Sequence, residues 1–346
     1  MTLEAFLDET PGEVRGVISR DGRCERLLIH RDSDIAAHRL GAQSIGRIEA
    51  IDSGLNGAFV DLGTGRSAYM PPGKGSVGRV GEIIQVAVTA EPRSGKGPTV
   101  KRLGAGEGPP RLIRPGPDVR AVLAQWAPGI QVQRGLVAIQ ASLDAEEEAL
   151  ADAVVLADLG LDLAVQRTRA LVAVDIDHAR LPGRDAARGK DQANRAGLAQ
   201  AARLIRLKGW GGLVVVDVVG GGRDGEALLA AARTAFGGDP QTARQIAYGP
   251  VSRFGTLQIA MPWQFTPIEE RLNDPDGRPW LQTRVIAIVR ALHRALLSDT
   301  ATPRHLARCC PQEAELAAPL VARLGPRANV VADSDVLPGR ALIGVP

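Results

Sequence analysis

The sequence predicts an α/β protein, with a strand-rich N-terminal part, a mixed α/β middle and a small α/β end. Three observations carry this. Residues 41–103 break into five short strand-like runs separated by Gly-rich turns. Two apolar runs, Leu171 to Asp177 and Leu213 to Val219, read as buried strands, with helical spacing at 193–208 between them. Residues 282–346 alternate helix and strand patterns twice.

At 346 residues the chain is long enough for two or three domains, and a hydrophobic fraction of 45% is that of an ordinary globular protein. Aromatic residues are only 3%, so the core must be aliphatic. The net charge is +3, and only five of the 42 basic residues are lysine. Arginine forks suit phosphates, although codon bias gives the same composition. Cys24, Cys309 and Cys310 have neither disulfide nor zinc spacing, which fits a reducing, cytoplasmic setting. No 18-residue apolar span is present, and Glu4 and Asp8 stand where a signal peptide would be basic, so neither membrane insertion nor export is expected.

Taken in order, residues 12–30 alternate polar and apolar around Asp21-Gly22, which predicts a β-hairpin. The five runs of 41–103 follow, with Lys96, Lys101, Arg93 and Arg102 forming a basic strip around a Gly-rich turn. Residues 104–120 hold four prolines and four glycines and read as a linker. A strand pair is expected at 130–132 and 136–139, and a helix at 142–158 with Ser142 as its N-cap. A strand at 161–165 turns at Gln166-Arg167 into the first apolar run, and the basic stretch 178–192 reads as a loop. His178 in that loop is a surface residue more readily than a ligand. The helix 193–208 would turn Leu198, Ala201, Ala202 and Ile205 inward and Arg195, Arg203, Arg206 and Lys208 outward. A second helix spans 224–236, and strands flank Ser252-Arg253-Phe254-Gly255. The tail should give a helix from Gln282 to Leu297, a strand at 303–306, a helix from Glu313 to Leu324 with Pro319 inside it, and a closing strand at 330–335.

The chemistry sits at the ends of the two apolar runs. A strand places residues i and i+2 on one face, so Asp175 and Asp177 should point the same way at a C-terminal strand end. If the run ending in Asp217 lies beside it in the same sheet, three carboxylates converge. Such a group is unfavourable without a cation. Oxygen ligands without cysteine favour Mg²⁺ or Mn²⁺, held here by Asp175 and Asp217. A single aspartate at a strand end is commonly a turn former or helix cap; two alike strands argue for a site.

The series Thr168-Arg169-Ala170-Leu171 through Asp175-Ile176-Asp177, then Ala193-Asn194, Lys208-Gly209-Trp210-Gly211-Gly212, Val216-Asp217 and Ser252-Arg253-Phe254-Gly255 resembles the catalytic domain of the ribonuclease E/G family of bacterial endoribonucleases. Ile45 to Met70 resembles an S1 domain, an OB-type barrel. The resemblance implies an S1 OB-fold barrel near the N-terminus, a mixed α/β ribonuclease domain and a small C-terminal α/β domain. The expected segments are an N-terminal hairpin (1–40), the S1 domain (41–107), a reduced linker and sensor region (108–160), the catalytic domain (161–263) and the C-terminal domain (264–346). It also implies cleavage of single-stranded RNA to 5′-phosphate and 3′-hydroxyl products. Asp175, Asp217 and Asp177 would be the catalytic residues, with Phe59, Tyr69, Lys96 and Arg253 contacting RNA.

The chain departs from the family pattern at definite places. Arg169 replaces a glutamate, Asp177 an asparagine, and Gly220-Gly221-Gly222 a stretch holding a further aspartate. Ala260-Met261-Pro262-Trp263 stands where a second basic cluster is expected. The 5′-end sensor is reduced, with Arg134-Gly135 its only echo, and 264–281 lacks the cysteine pair of the zinc link. No zinc is therefore expected, while a homodimer through apolar packing stays open. So do two functions: a Mg²⁺-dependent endoribonuclease, and a catalytically weakened RNA-binding relative. A DNA nuclease on a similar sheet is a weaker third reading, because S1 barrels point to RNA.

Overall fold

A computed structural model describes residues 2–345 apart from 55, 74–76, 158–159, 179–185, 221–223 and 240–241. The fold is mixed α/β. It divides into two compact units, residues 1–146 with 266–346, and residues 147–265.

The first unit opens with three strands, β1 (Leu3–Thr10), β2 (Glu13–Arg20) and β3 (Arg23–Arg31), paired antiparallel. The expected β2–β3 hairpin is present. Its turn residues Asp21 and Gly22 both have positive φ, 50° and 76°, as a two-residue hairpin turn requires. The preceding β1 makes the element a meander, larger than the two-stranded hairpin expected for 1–40.

The five runs of 41–103 are five strands: β4 (Gln43–Asp52), β5 (Gly57–Asp61), β6 (Ala68–Met70), β7 (Ile83–Ala90) and β8 (Thr99–Ala105). They run in the order β5-β6-β8-β7-β4, and β4 pairs back onto β5, so the sheet closes into a five-stranded, OB-like barrel. Ala58, Val60, Ala68, Met70, Ile84, Val86 and Val100 fill it. Within the expected linker, β9 (Arg111–Arg114) adds to the barrel by pairing with β4. Prolines 109, 110 and 115 lie outside the strand, which is why Pro-rich composition does not exclude it.

α1 (Val119–Trp126) follows, capped by the Asp118 carboxylate. The next segment departs from expectation. β10 (Val132–Gln133) pairs parallel with β1, but 136–139 is helical, within α2 (Leu136–Leu150). Burial of Ala138 and Ile139 overrides their local preference. Ser142 is no N-cap. It is fully buried in mid-helix, and its hydroxyl donates to Asp8 at 2.8 Å.

That contact belongs to a buried charge cluster. Glu13 accepts from Arg15 (2.6 Å), Arg31 (2.7 Å) and Arg290 (2.7 Å), and Arg290 also bonds Asp8 at 2.7 Å. Arg15 further pairs with Glu146. The three arginines hold the Glu13 carboxyl far below the ordinary carboxylate range, against the opposing effect of burial. These pairs join the N-terminal meander, α2 and the C-terminal helix introduced below.

The second unit is one six-stranded sheet with helices. Its strands are β11 (Ala153–Leu156), β12 (Leu161–Arg167) and β13 (Val172–His178). After α3 (Ala186–Lys208) comes β14 (Gly212–Asp217), then α4 (Gly225–Phe236), β15 (Ala247–Tyr248) and β16 (Thr256–Met261). The order is β11-β12-β13-β14-β16-β15. β11 occupies residues expected to be helical, and α3 starts inside the stretch expected to be loop. The turn before β13 lies at 168–170, not at Gln166-Arg167, and is closed by Thr168 accepting from the Leu171 N–H at 3.1 Å.

α3 packs on one face of this sheet. Leu198, Ala201, Ala202 and Ile205 are buried, as their spacing predicts. A Cβ on Gly197 would fall 2.5 Å from Ile176 on β13, so only glycine permits this approach. Arg203 and Lys208, expected outward, are buried instead. Arg203 pairs with Glu148 at 2.6 Å, and the Lys208 ammonium donates to Ala149 O at 2.8 Å.

The chain then returns to the first unit through α5 (Ile268–Leu272), α6 (Leu281–Ser298), β17 (His305–Cys309), α7 (Pro311–Ala322), β18 (Ala328–Ala332) and β19 (Ala341–Gly344). α6, α7, β17 and β18 match expectation to within a few residues; α5 and β19 were not foreseen. The strands form a sheet in the order β18-β17-β19 over an aliphatic core from α6 and α7. Among the described residues no helix is long and apolar enough to cross a membrane.

Candidate active site at the edge of the second-unit sheet

The two apolar runs are neighbours. β13 and β14 pair in parallel, with Asp175 directly opposite Asp217. Adjacent strands lie about 4.8 Å apart, so the two carboxylates share one edge at the C-terminal strand ends, where open α/β sheets place their ligands. Alternation separates the faces. Val172, Val174, Ile176, Val214 and Val216 are buried, whereas Asp175, Asp177 and Asp217 are exposed. Asp162 of β12 lies opposite Asp177.

This crowding shows in the protonation of Asp175. Its carboxyl is pushed above the ordinary 3.8 by partial burial, then by the negative charges of Asp217, Asp177 and Asp162. A concavity on the open face is lined by Ala164, Gln166, Leu171, Ala173, Val174, Asp175, Val215 and Asp217, apolar apart from Gln166 and its acidic end. Among the described residues no group of three or more His, Cys, Asp or Glu side chains is arranged to hold a metal ion. The Asp175–Asp217 pair nevertheless suits Mg²⁺, which commonly takes one or two carboxylates and keeps several waters.

Neighbouring residues brace this edge. Asn194 of α3 grips the chain just after β14, accepting from the Val219 N–H at 2.9 Å and donating to Val219 O at 3.1 Å. The Gly211-Gly212 pair that starts β14 has a steric cause: a Cβ on Gly211 would lie 2.6 Å from Pro262 O, and Gly212 has φ +90°. Thr256 of β16 stands opposite Asp217 on the other side. Before it, the Ser252-Arg253-Phe254-Gly255 turn places the Arg253 guanidinium 4.7 Å from the centre of the Phe254 ring, with both residues exposed. His178 and the residues from Gly221 onward in the glycine run fall where side chains or backbone lie outside the described residues.

The barrel candidates belong to the other unit. Phe59 and Tyr69 face each other across β5 and β6, ring centres 5.8 Å apart and tilted by 57°. Neither ring belongs to the barrel core; Phe59 is 38% exposed and Tyr69 half-buried. Lys96 is exposed at its turn beside Ser94 and Gly95. Arg102 of the same strip is committed to Glu82. Sequence reasoning passed over Phe254 as an individual residue and missed the bracing role of Asn194. The first was hidden inside a motif, and the second depends on a helix-to-loop contact.

Fold and site together define a sheet with paired carboxylates at its edge, in one chain with an OB-like barrel, a fold that commonly binds oligonucleotides. Residues 125–261 match the model of the ribonuclease E/G family, which supports membership in that family. The matched stretch contains Asp175, Asp177, Asp217 and Arg253; Phe59, Tyr69 and Lys96 lie before it. A search of the curated proteins finds no match. The match suggests an endoribonuclease role with RNA as substrate.

Proposed function

We propose that this protein is a metal-dependent endoribonuclease that cuts single-stranded RNA, leaving 5′-phosphate and 3′-hydroxyl ends. The observation that carries the reading is Asp175 standing opposite Asp217 at the C-terminal ends of parallel neighbours within the family match. A divalent cation held there would supply a water activated for in-line attack and charge stabilisation at the phosphodiester. Asp175 and Asp217 would hold it through their carboxylate oxygens. Asp177 lies on the same face, one strand pair from Asp162, and adds negative charge that attracts the cation while repelling the incoming phosphate.

Asn194 fixes the path of the chain just beyond Asp217. Arg253, exposed on the turn before β16, is the phosphate anchor on this unit. On the barrel, Phe59 and Tyr69 offer stacking surfaces and Lys96 a charge for the backbone. Attack by a water that such a cation would activate, with the 3′ oxygen leaving, would put the phosphate on the 5′ end of the downstream fragment.

End analysis of the products tests this reading. Fragments made with Mg²⁺ should be substrates for a 5′-monophosphate-dependent exonuclease, and none should form in EDTA. Cyclic or 3′-phosphate ends, or undiminished cleavage in EDTA, would contradict it. Stoichiometric RNA binding without any cleavage would instead favour the weakened relative.

A further inference from the structure

The turn before β16 carries an aromatic ring that the proposed mechanism does not use. Phe254 is 75% exposed, the highest value among the large hydrophobic residues of the described chain. A single exposed apolar residue is ordinary on a protein surface, but three further observations set this one apart.

The turn is held in several ways. Ser252 N donates to Thr256 O at 2.8 Å, and the Ser252 and Thr256 hydroxyls are 2.8 Å apart. Gly255 N donates to Ser252 O at 2.9 Å, and Phe254 N donates to Ser252 Oγ at 3.2 Å. The ring therefore projects from an ordered backbone. Arg253 also supplies a cation, its guanidinium 4.7 Å from the ring centre, so a delocalised charge already accompanies the aromatic surface. Finally, the turn continues directly into Thr256, which is opposite Asp217. Two residues of chain, spanning at most about 7 Å, and one strand across keep the Phe254 backbone within roughly 10 Å of the Asp217 backbone.

We infer that this turn is a nucleobase platform beside the scissile phosphate: Phe254 stacks on an unpaired base of the RNA held at Asp175 and Asp217, while Arg253 meets the adjoining phosphate. The inference rests on the ribonuclease reading and deepens it. Every base has a π-face, so the platform favours unpaired RNA over duplex without reading sequence. An arginine beside an aromatic ring suits the alternation of base and phosphate along a single strand. It also gives the second unit a grip on RNA of its own, close to the site of cleavage.

The test compares wild-type protein with Phe254→Ala and Phe254→Trp, binding in EDTA to a short fluorescein-labelled single-stranded RNA of mixed sequence. A second RNA of the same length carries abasic sites. Phe254→Ala should weaken binding of the intact RNA by roughly tenfold and leave the abasic RNA unaffected. Phe254→Trp should retain affinity, and its added fluorescence should be quenched by the intact RNA only. Equal affinities of wild type and Phe254→Ala for intact RNA would overturn the inference, as would an equal loss on both RNAs. A wild-type protein that neither binds these RNAs nor cleaves them with Mg²⁺ would instead overturn the ribonuclease reading itself.

Discussion

Replacing Asp175 by asparagine should make the metal-free protein more stable while removing its chemistry. Asp175 faces Asp217 across neighbouring strands, and its carboxyl is held above the ordinary value by burial and by Asp217, Asp177 and Asp162. Two unit charges about 5 Å apart repel by about 0.8 kcal/mol at the dielectric of water and about 3 kcal/mol at an effective dielectric of 20. Asp175 is exposed, so solvent screening keeps the gain near the lower figure, about 1 kcal/mol at low salt. That corresponds to a rise of roughly 4 °C in the unfolding midpoint of a unit this size, fading in about 1 M salt. The pH dependence has a definite sign. With a folded-state value above the unfolded one, the native state binds more protons, so stability falls as pH rises through that window. The advantage of Asp175→Asn should thus be present at neutral pH and vanish below about pH 4. Mg²⁺ should reverse the order, stabilising wild type by about 2.7 kcal/mol at a hundredfold excess over its Kd and the variant much less. Scanning fluorimetry with EDTA or Mg²⁺ measures both effects. A variant destabilised by more than about 1 kcal/mol in EDTA would show that Asp175 is a structural hydrogen-bonding residue, and would refute the argument from paired charges.

Three further outcomes are expected. Tyr69→Ala, at the barrel surface opposite Phe59, should weaken binding of single-stranded RNA by about 1–3 kcal/mol with the fold intact; fluorescence anisotropy reads this, and unchanged affinity would move the RNA path off this face. Glu13→Ala leaves Arg15, Arg31 and Arg290 buried around a missing carboxylate and should cost about 3–5 kcal/mol in denaturant unfolding. Because Glu13 is held below its ordinary 4.5, its stabilisation is complete at neutral pH and declines with acidification below that value, so wild type should lose stability in acid more steeply than Glu13→Gln. Substrates with 5′-monophosphate and 5′-hydroxyl ends should be cleaved within tenfold of one another, since Arg134, the only echo of a 5′-end sensor motif in the sequence, is paired with Glu9; a larger preference, above about 1.4 kcal/mol, would reveal a sensor pocket.

The carboxylate edge was legible because its cause is local. Two valine-rich runs each end in aspartate, and strand parity alone puts Asp175 and Asp177 on one face. The Asp21-Gly22 hairpin and the five barrel strands were legible for the same reason, alternation broken by turn residues. The sequence could not announce the Glu13 cluster. Charges alternating along β1 and β2 look like a solvated face until α2 and α6 bury them. Leu136 to Ile139 reads as a strand by composition but folds as a helix because tertiary burial outweighs β-propensity. Arg203 and Lys208 went wrong similarly, since helical periodicity cannot foresee a carboxylate or carbonyl waiting inside. Phe254 needed the structure to show that its ring stands exposed on the turn before β16.

The central claim, that Asp175 and Asp217 together run the chemistry, is tested most directly by single-turnover cleavage of a fluorescent single-stranded RNA by wild type and Asp217→Asn, with Mg²⁺ and with EDTA. The account predicts Mg²⁺-dependent cleavage by wild type and a rate at least about a hundredfold lower for the variant, a loss near 3 kcal/mol, with RNA affinity little changed. Cleavage by Asp217→Asn at the wild-type rate would contradict it.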